Sequence, residues 1–382
     1  MNPTEIPLLS DTPGNIPLFM PHVPKGAGAA ILDTLGTRWL GQGPKVEEFE
    51  TRFSEEFCGS GPVIAVGSGT DALHLAYLAA GIQPGDEVIT PVFTCTATNI
   101  PLLYIGATPI FADVEIDTLN IEVSSIEPLI TEKTKAIVCV HYGGLPCKMN
   151  EIASIAKKHN LVVIEDAAHA VGAKYHGQPV GSISDFTMFS FQAIKHITTG
   201  DGGLLAFKNR DILALAKRLR WFGIDRLSKQ MGIWENDIKE VGYKYQMTDI
   251  SASLGLAALT EFSDTLSYRR SLLELYCKEL IEHDRLSILS KETPETLHAA
   301  WLFTVRVKER IKLQTFLASN GVESNQVHYR NDRYSIFGDR KSKLPNMDLI
   351  ENEYLVLPLH TRMTTSDVSK ICGLINNFYK VN

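Results

Sequence analysis

Residues 161–169 have the sequence LVVIEDAAH, in which an apolar run ends on two acidic residues. A short, continuous apolar run that ends at a polar turn is typical of a strand buried on both faces of a sheet. Similar runs recur along the first half of the chain, separated by stretches with helical spacing. This alternation predicts an α/β fold with a mostly parallel sheet. The predicted strands are residues 63–66, 87–90, 109–112, 136–140 and 161–164, and the clearest helices are residues 71–80 and 149–159.

The composition is that of a large globular protein. The chain has 382 residues, a formal net charge of -7 and 44% hydrophobic residues, which fits two domains or one large core with a satellite. The net charge is negative, so the composition gives no sign of the basic surface that binds nucleic acid. No run of apolar residues reaches the ~18 that a membrane helix requires. The N-terminal residues lack a signal-peptide pattern. Six cysteines without a CxxC pair favour reduced thiols over a zinc site, so we expect a cytoplasmic protein without a metal.

The pattern changes near residue 256, where the regular alternation of strands and helices ends. We predict a large α/β domain over residues 31–256 and a smaller α+β domain over residues 257–382. Residues 1–30 form an N-terminal arm, rich in Pro and Gly in its first ~25 residues, that packs with the small domain. Within the small domain we predict helices over 256–283 and 308–319, strands over 301–307 and 322–327, and a last helix that ends at Tyr379 and begins at a capping box of Thr364 and Asp367.

A glycine-rich turn, Gly67-Ser68-Gly69-Thr70-Asp71, follows the first predicted strand and opens a helix. The free N–H groups at a helix start favour an anion, so a phosphate could sit on Gly69 and Thr70, with the Thr70 hydroxyl as a further donor. The alternative is an ordinary tight turn, because the spacing is neither a P-loop nor a GxGxxG fingerprint.

Asp166 follows the apolar run quoted above, at the carboxyl end of its strand. Ligands of open α/β sheets bind at this edge. A carboxylate buried there needs a partner, and a protonated heterocycle nitrogen is a good one. The alternative is a helix N-cap.

Lys195 lies between an apolar strand that includes Ser190 and the Gly-rich turn at residues 200–203. A lysine that is removed from water has a lowered pKa and becomes a nucleophilic amine, which forms a Schiff base with a carbonyl. The alternative is an ordinary surface lysine.

Together, a phosphate cradle, a buried carboxylate and a lysine near a serine are the parts that pyridoxal 5'-phosphate (PLP) requires. The chain also resembles the DegT/DnrJ/EryC1/StrS family of sugar aminotransferases, which have the aspartate aminotransferase fold (fold type I). The resemblance runs from residues 39–44, WLGQGP, to residues 357–360, LPLH, and is most specific at residues 165–169 and 190–195.

The resemblance assigns a role to each matching cofactor residue. Lys195 resembles the lysine that holds the cofactor aldehyde and later moves the proton, and Asp166 resembles the aspartate on the pyridinium nitrogen. The remaining positions are the phosphate donors Ser190, Thr70 and the Gly69 amide, and His169, which stands where many members have glutamine beside the phenolic oxygen of the cofactor.

Other positions depart from the family pattern or face the substrate. Lys244 stands where many members have an asparagine that reaches the cofactor phosphate of the neighbouring subunit, which implies a homodimer with shared sites. Cys95 stands where the family usually has an aromatic ring stacked on the pyridine, and a thiol offers only a soft, polarisable contact. The candidate substrate residues are Tyr329, Arg330 for a diphosphate or a donor carboxylate, and Arg226 for a nucleotide phosphate. The alternative for both arginines is an ordinary surface charge.

The resemblance implies a reaction in which L-glutamate gives its amino group to a nucleotide-linked keto-sugar, for amino-sugar and surface polysaccharide synthesis. Family frequency favours a dTDP-linked 4-keto-6-deoxy sugar. One alternative is a pyridoxamine-dependent sugar dehydratase, but those relatives replace the lysine by histidine and this chain keeps Lys195. The other is a non-catalytic regulatory protein that binds PLP or a nucleotide sugar on the same fold.

Overall fold

The computed structural model describes residues 14–235, 237–289, 291–339 and 343–381. The helices are α1 Ala27–Leu35, α2 Pro44–Phe57, α3 Gly69–Ala79, α4 Thr96–Tyr104, α5 Met149–His159, α6 Ile212–Leu219, α7 Arg226–Gln230, α8 Asp249–Glu279, α9 Arg310–Ser319, α10 Pro345–Ile350 and α11 Thr365–Val381. The strands are β1 Val63–Val66, β2 Glu87–Pro91, β3 Phe93–Thr94, β4 Thr108–Ala112, β5 Thr134–Val140, β6 Val162–Asp166, β7 Lys174–Tyr175, β8 Gln178–Pro179, β9 Phe186–Ser190, β10 Gly203–Phe207, β11 Leu286–Ile288, β12 Thr296–Leu297, β13 Phe303–Val307, β14 Tyr329–Arg330 and β15 Tyr354–Leu357.

A central sheet organises the larger part of the described chain, with the strand order β1-β10-β9-β6-β5-β2-β4. Its strands are parallel except β10, which runs antiparallel to both of its neighbours. Successive residues of β1 belong to different hydrophobic clusters, Ile64 and Val66 to one and Val63 and Ala65 to another. Both faces of the sheet are therefore covered, which explains the unbroken apolar runs and confirms the predicted α/β class.

A second core is formed around the three-stranded antiparallel sheet β11-β13-β15. Helix α8 connects the two cores, because Leu256 and Phe262 pack in the core of the large sheet and Leu272 and Tyr276 pack in that of the small sheet. The predicted boundary after residue 256 therefore falls inside one continuous helix.

Several element boundaries differ from the predicted ones. Helix α8 begins seven residues earlier than the predicted start at 256, because the Thr248 hydroxyl caps it by accepting a hydrogen bond from the Ser251 N–H at 3.1 Å. The strand predicted over 322–327 is wrong, since Val322 and Asn325 form only isolated bridges. The Asn325 side chain accepts the N–H of the next residue at 2.9 Å, a local bond that competes with a strand ladder.

The predicted capping box of the last helix forms, with the Asp367 N–H donating to Thr364 Oγ1 at 3.2 Å and the Thr364 N–H donating to Asp367 Oδ2 at 2.7 Å. The N-terminal arm falls partly outside the described residues. Its described part contacts the small core, where Ile16 bridges to Val322 and the Leu18 N–H donates to Glu323 at 2.7 Å. No helix in the described ranges is both long and apolar enough to cross a bilayer.

The packing of Gly203 yields a stability prediction. A Cβ atom at this position would overlap the Ser68 carbonyl at the start of α3. We expect Gly203→Ala to lower the free energy of unfolding by about 1–3 kcal/mol, because the backbone of β10 must move away. Urea denaturation at matched protein concentration measures this. The control is Gly373→Ala in α11, where nothing lies within 4 Å; an equal loss there would contradict the packing argument.

Candidate active site

The predicted site residues converge at one edge of the central sheet. Asp166 and Ser190 are the last residues of β6 and β9, and Gly69 opens the helix that follows β1. Strands β6 and β9 are parallel neighbours, so their carboxyl ends meet at the same edge. This is the position at which ligands of open α/β sheets bind.

The glycine-rich turn places free backbone donors beside Ser190. The Ser68 side chain caps helix α3 by accepting the Asp71 N–H at 3.0 Å. The first two amides of the helix, those of Gly69 and Thr70, have no acceptor within the helix by geometry. A Cβ atom on Gly69 would lie 3.3 Å from Ser190 Oγ, so the bare glycine lets this hydroxyl and the helix start approach one anion together.

Asp166 is 4% exposed, and its two carboxylate oxygens have different partners. Oδ2 accepts the Thr98 hydroxyl at 2.7 Å, and Oδ1 accepts the Ala168 N–H at 3.1 Å. Burial raises the pKa of Asp166, while these two bonds and the charge of Lys195 act to lower it. A cationic ring nitrogen at this carboxylate would stabilise its ionised form further.

The neighbouring acid, Glu165, points to the opposite face of β6, as alternation along a strand requires. Its Oε2 lies 2.8 Å from His141 Nε2, and both side chains are fully buried. Its Oε1 accepts the Ser184 N–H at 3.1 Å and the Thr187 hydroxyl at 3.0 Å. Burial lowers the pKa of His141, but its contacts with Cys147 and Glu165 outweigh that and raise it to about 10. Glu165 thus braces the strand that carries Asp166.

Lys195 lies in the loop between β9 and β10. The loop is closed by the Phe191 N–H, which donates to the Gly202 carbonyl at 2.8 Å. Removal from water lowers the pKa of Lys195 to about 8, against the opposing effects of Asp166 and Cys95. The lower pKa increases the fraction of this amine that is unprotonated near neutral pH, which favours a nucleophilic lysine.

Rings line the space around Lys195. The His169 ring stacks on Trp301 with ring centroids 3.7 Å apart. The His328 ring is parallel to the His169 ring, and their centroids are 5.3 Å apart. His169 Nδ1 accepts the Gly143 N–H at 3.3 Å, which leaves Nε2 as the ring nitrogen that can meet a ligand. Burial lowers the pKa of His169 well below its usual range, and Lys195 adds to this effect, so the ring is neutral.

The predicted substrate residues have different surroundings. Strand β14 pairs with β3, which sets Tyr329 opposite Thr94, next to the exposed Cys95. Arg330 is 2% exposed and is bound by carboxylates of its own chain, namely Asp332 at 2.7 Å, Asp348, and Glu351 at 3.6 Å. These carboxylates neutralise the charge of Arg330, whereas the predicted contact with the substrate requires a free guanidinium.

Lys244 and Arg226 both lie near the ring of Trp221. Lys244 is exposed, and its Nζ lies 3.8 Å from the centre of the Trp221 ring. Trp221 and Arg226 both line a cavity of about 680 Å³. Arg218 and Arg220 also line it, but they pair with Glu240 at 2.7 Å and with Glu50 at 2.6 Å. The other charged lining residues are the basic Arg210 and Lys217 and the acidic Glu47 and Asp225, so basic side chains outnumber acidic ones around the cavity.

The sequence interpretation missed three side chains that the fold brings to this site. Thr98 donates to Asp166 from the first turn of α4, and Trp301 and His328 line the space around Lys195. They are distant from Lys195 in sequence. Thr98 and His328 lie close to the candidate positions Cys95 and Tyr329, but no local pattern around Trp301 indicates a site.

These side chains fit PLP. The Gly69–Ser190 cradle suits its phosphate, Asp166 its ring nitrogen, neutral His169 its phenolic oxygen, and the amine of Lys195 its aldehyde. The described donors therefore match each functional group of the cofactor.

Fold and site together define a PLP-dependent transferase. A sequence model of the DegT/DnrJ/EryC1/StrS aminotransferase family matches residues 25–376, so the chain belongs to that family. The predicted family, fold class and cofactor are confirmed.

Characterised relatives extend over nearly the whole chain. It is 36% identical to the GDP-perosamine synthase of Escherichia coli O157:H7, over 95% of this chain and 98% of that one. It is 34% identical to the spore coat polysaccharide biosynthesis protein SpsC of Bacillus subtilis, over 96% and 97%. Among solved structures, the proposed sugar aminotransferase Spr1654 of Streptococcus pneumoniae in its PMP form is 30% identical, with a TM-score of 0.89 over 96% of this chain and 99% of that one. The chain is thus a sugar aminotransferase of this family.

The lowered pKa of Lys195 predicts how fast the amine captures an aldehyde. Because only the free base reacts, the rate of covalent PLP uptake by the apoprotein should rise with pH and level off above about 8. Stopped-flow absorbance measures this rate. An ordinary lysine would keep gaining rate up to about pH 10, so a profile that still climbs steeply above pH 9 would contradict the site geometry.

The Thr98 hydrogen bond predicts a second result. Thr98→Val keeps the shape of the side chain but leaves Asp166 Oδ2 without its donor, so the pKa of Asp166 should rise. We expect the dissociation constant of PLP to increase roughly tenfold or more, from a loss of ~1.5 kcal/mol for a bond to a charged group. The control is Thr34→Val, another buried threonine whose hydroxyl bonds only the Ala30 carbonyl. Equal PLP affinity in the wild type and Thr98→Val would refute this role.

Proposed function

We propose that this enzyme transfers the amino group of L-glutamate to the keto carbon of a nucleotide-linked sugar, and that its products are an amino sugar and 2-oxoglutarate. The observation that carries the proposal is the charge interaction between the half-buried Lys195 amine and the buried Asp166 carboxylate, beside the Gly69–Ser190 cradle. An amine with a lowered pKa next to a buried acid is a costly arrangement for a purely structural site.

When bound, PLP supplies an aldehyde that takes up the amino group and a ring that accepts electron density. Lys195 would carry the proton that leaves the α-carbon of the amino donor, because its amine becomes free when the donor enters. Asp166 would keep the ring nitrogen protonated, and His169 would donate from Nε2 to the phenolic oxygen. Each of these groups stabilises charge that develops during the reaction.

The cavity beside Trp221 is lined by more basic than acidic side chains, and this surplus of positive charge supports an anionic substrate. Lys244 packs on Trp221, and Trp221 lines the cavity that contains Arg226. If Lys244 reaches the cofactor phosphate of a neighbouring subunit, as the family resemblance implies, then the cavity borders that same neighbouring site. We therefore propose a homodimer with shared active sites, in which Arg226 contacts the diphosphate of the sugar nucleotide and Tyr329 of the other chain contacts the sugar.

The nucleotide carrier is a separate part of the proposal. Family frequency favours a dTDP-linked 4-keto-6-deoxy sugar. The relative named GDP-perosamine synthase makes a GDP-linked keto-sugar the main alternative substrate. The relative SpsC, named for spore coat polysaccharide biosynthesis, supports a product destined for a surface polysaccharide. A sugar dehydratase would leave the free amine of Lys195 without a use, and a non-catalytic binding protein would need it only to hold the cofactor, not to move a proton.

The test combines a substrate panel with a lysine variant. With L-glutamate and dTDP-, UDP- and GDP-linked keto-sugars, mass spectrometry should show one sugar that gains an amine. Lys195→Ala should reduce turnover at least ~1,000-fold, because the proton carrier is lost. Lys174→Ala, which removes an exposed lysine, should keep wild-type turnover. Wild-type transamination by Lys195→Ala, or no aminated product from any sugar, would sink the proposal.

A further inference from the structure

The Trp301 side chain lies directly against the amine of Lys195. Lys195 Nζ is 3.6 Å from the centre of the indole ring, and Trp301 is 2% exposed. The indole N–H donates to the carbonyl of Ile194, the residue before Lys195, at 3.3 Å. The ring is therefore tied to the loop whose lysine it contacts.

The backbone before Trp301 is held in an unfavourable conformation. Ala300 has a φ of 53°, in the left-handed region that costs a non-glycine residue about 1 kcal/mol or more. Such strain persists only where the surrounding structure enforces it, and it is concentrated at functional sites. The position of the Trp301 ring is thus imposed by its surroundings.

Arg269 of helix α8 supplies much of this constraint. It is 5% exposed, and it donates to the carbonyls of Ala300 at 2.9 Å, Trp301 at 2.9 Å and Leu359 at 2.8 Å. On the other side, His196, the residue after Lys195, lies 2.6 Å from the Ala299 carbonyl through its Nε2. The residues on both sides of Lys195 therefore bind the segment that carries Trp301.

An ammonium group over an aromatic face is stabilised by the negative charge on that face, and most strongly by tryptophan away from water. We propose that Trp301 is a positioning residue that seats the ammonium form of Lys195, the form in which the freed amine carries the proton taken from the α-carbon. The inference rests on the proposed role of Lys195. In each half of the transamination the freed amine must stay within reach of the reacting carbon, and the indole face holds it there without a competing carboxylate bond.

The effect of Trp301 on the pKa of Lys195 can be measured, because few other charged groups of the described chain lie near the amine. Asp166 and Cys95 favour the ammonium form, and burial opposes it. The nearby imidazoles are neutral, because burial and the charge of Lys195 lower their pKa values; they are His169, His196 and His328. Replacing Trp301 leaves every charged group near Lys195 in place, and His169, which stacks on Trp301, carries no charge as long as it stays buried. A shift in the pKa of Lys195 therefore reports on the ring.

The experiment uses the holoenzyme in its pyridoxamine form, in which Lys195 is a free amine. Competitive acetylation over a wide pH range, followed by mass spectrometry of the Lys195 peptide, gives the pKa of this amine. Trp301→Phe keeps an aromatic face and should stay near the wild type. Trp301→Leu should lower the pKa by about half to one unit, which makes acetylation at neutral pH roughly three- to fivefold faster. Trp301→Met repeats the comparison with another non-aromatic side chain.

The control is Trp234→Leu, since Trp234 is 76% exposed, and it should leave the pKa of Lys195 unchanged. If the leucine and methionine variants match the phenylalanine variant, or have a higher pKa because water enters, Trp301 does not seat the amine and the inference is wrong. Borohydride reduction of the PLP form separates this failure from that of the proposed function. A cofactor adduct on Lys195 upholds the role of the lysine whatever the pKa values, and its absence overturns both proposals.

Discussion

The rest of the site depends on a carboxylate that is held out of water. Asp166 ends β6 in the middle of the central sheet, where an isolated charge would be strongly disfavoured. The Thr98 hydroxyl and the Ala168 amide each bind one of its oxygens, and the charge of Lys195 acts in the same direction. The acid therefore stays poised for a cation, and the lysine loop, the helix after β1 and the start of α4 are arranged around it.

The second constraint is the packing of the two hydrophobic cores against each other. Helix α8 belongs to both, and its Arg269 binds the strained turn that carries Trp301. Strand β14 pairs with β3 between the two cores, and this pairing brings Tyr329 next to Cys95. The small core thus supplies one wall of a site whose acid and lysine come from the large sheet. A loss of contact between the cores would remove that wall while leaving Asp166 in place.

The sequence was most informative where local chemistry decides the structure. Each buried strand of the sheet was visible as an apolar run, because both faces are covered. The capping box at Thr364 was visible because its partners are three residues apart. The sequence was misleading at residues 322–327, where the Asn325 side chain bonds the next backbone N–H and competes with a strand ladder. Arg330 was predicted to be a free cation because two of its carboxylate partners, at residues 348 and 351, are remote in sequence, and because the sequence does not show that the side chain of the nearby Asp332 turns back to it.

By itself, the sequence determined the class of sheet, the order of the glycine turn, the acid and the lysine, and the family to which the chain belongs. Those features are encoded in short segments, since apolar periodicity and turn chemistry act over a few residues. Only the tertiary structure decided that Thr98 bonds the acid, that Glu165 faces away from it, and that an indole more than a hundred residues from Lys195 lies against its amine. Packing between distant segments produces such contacts, and no local pattern records them.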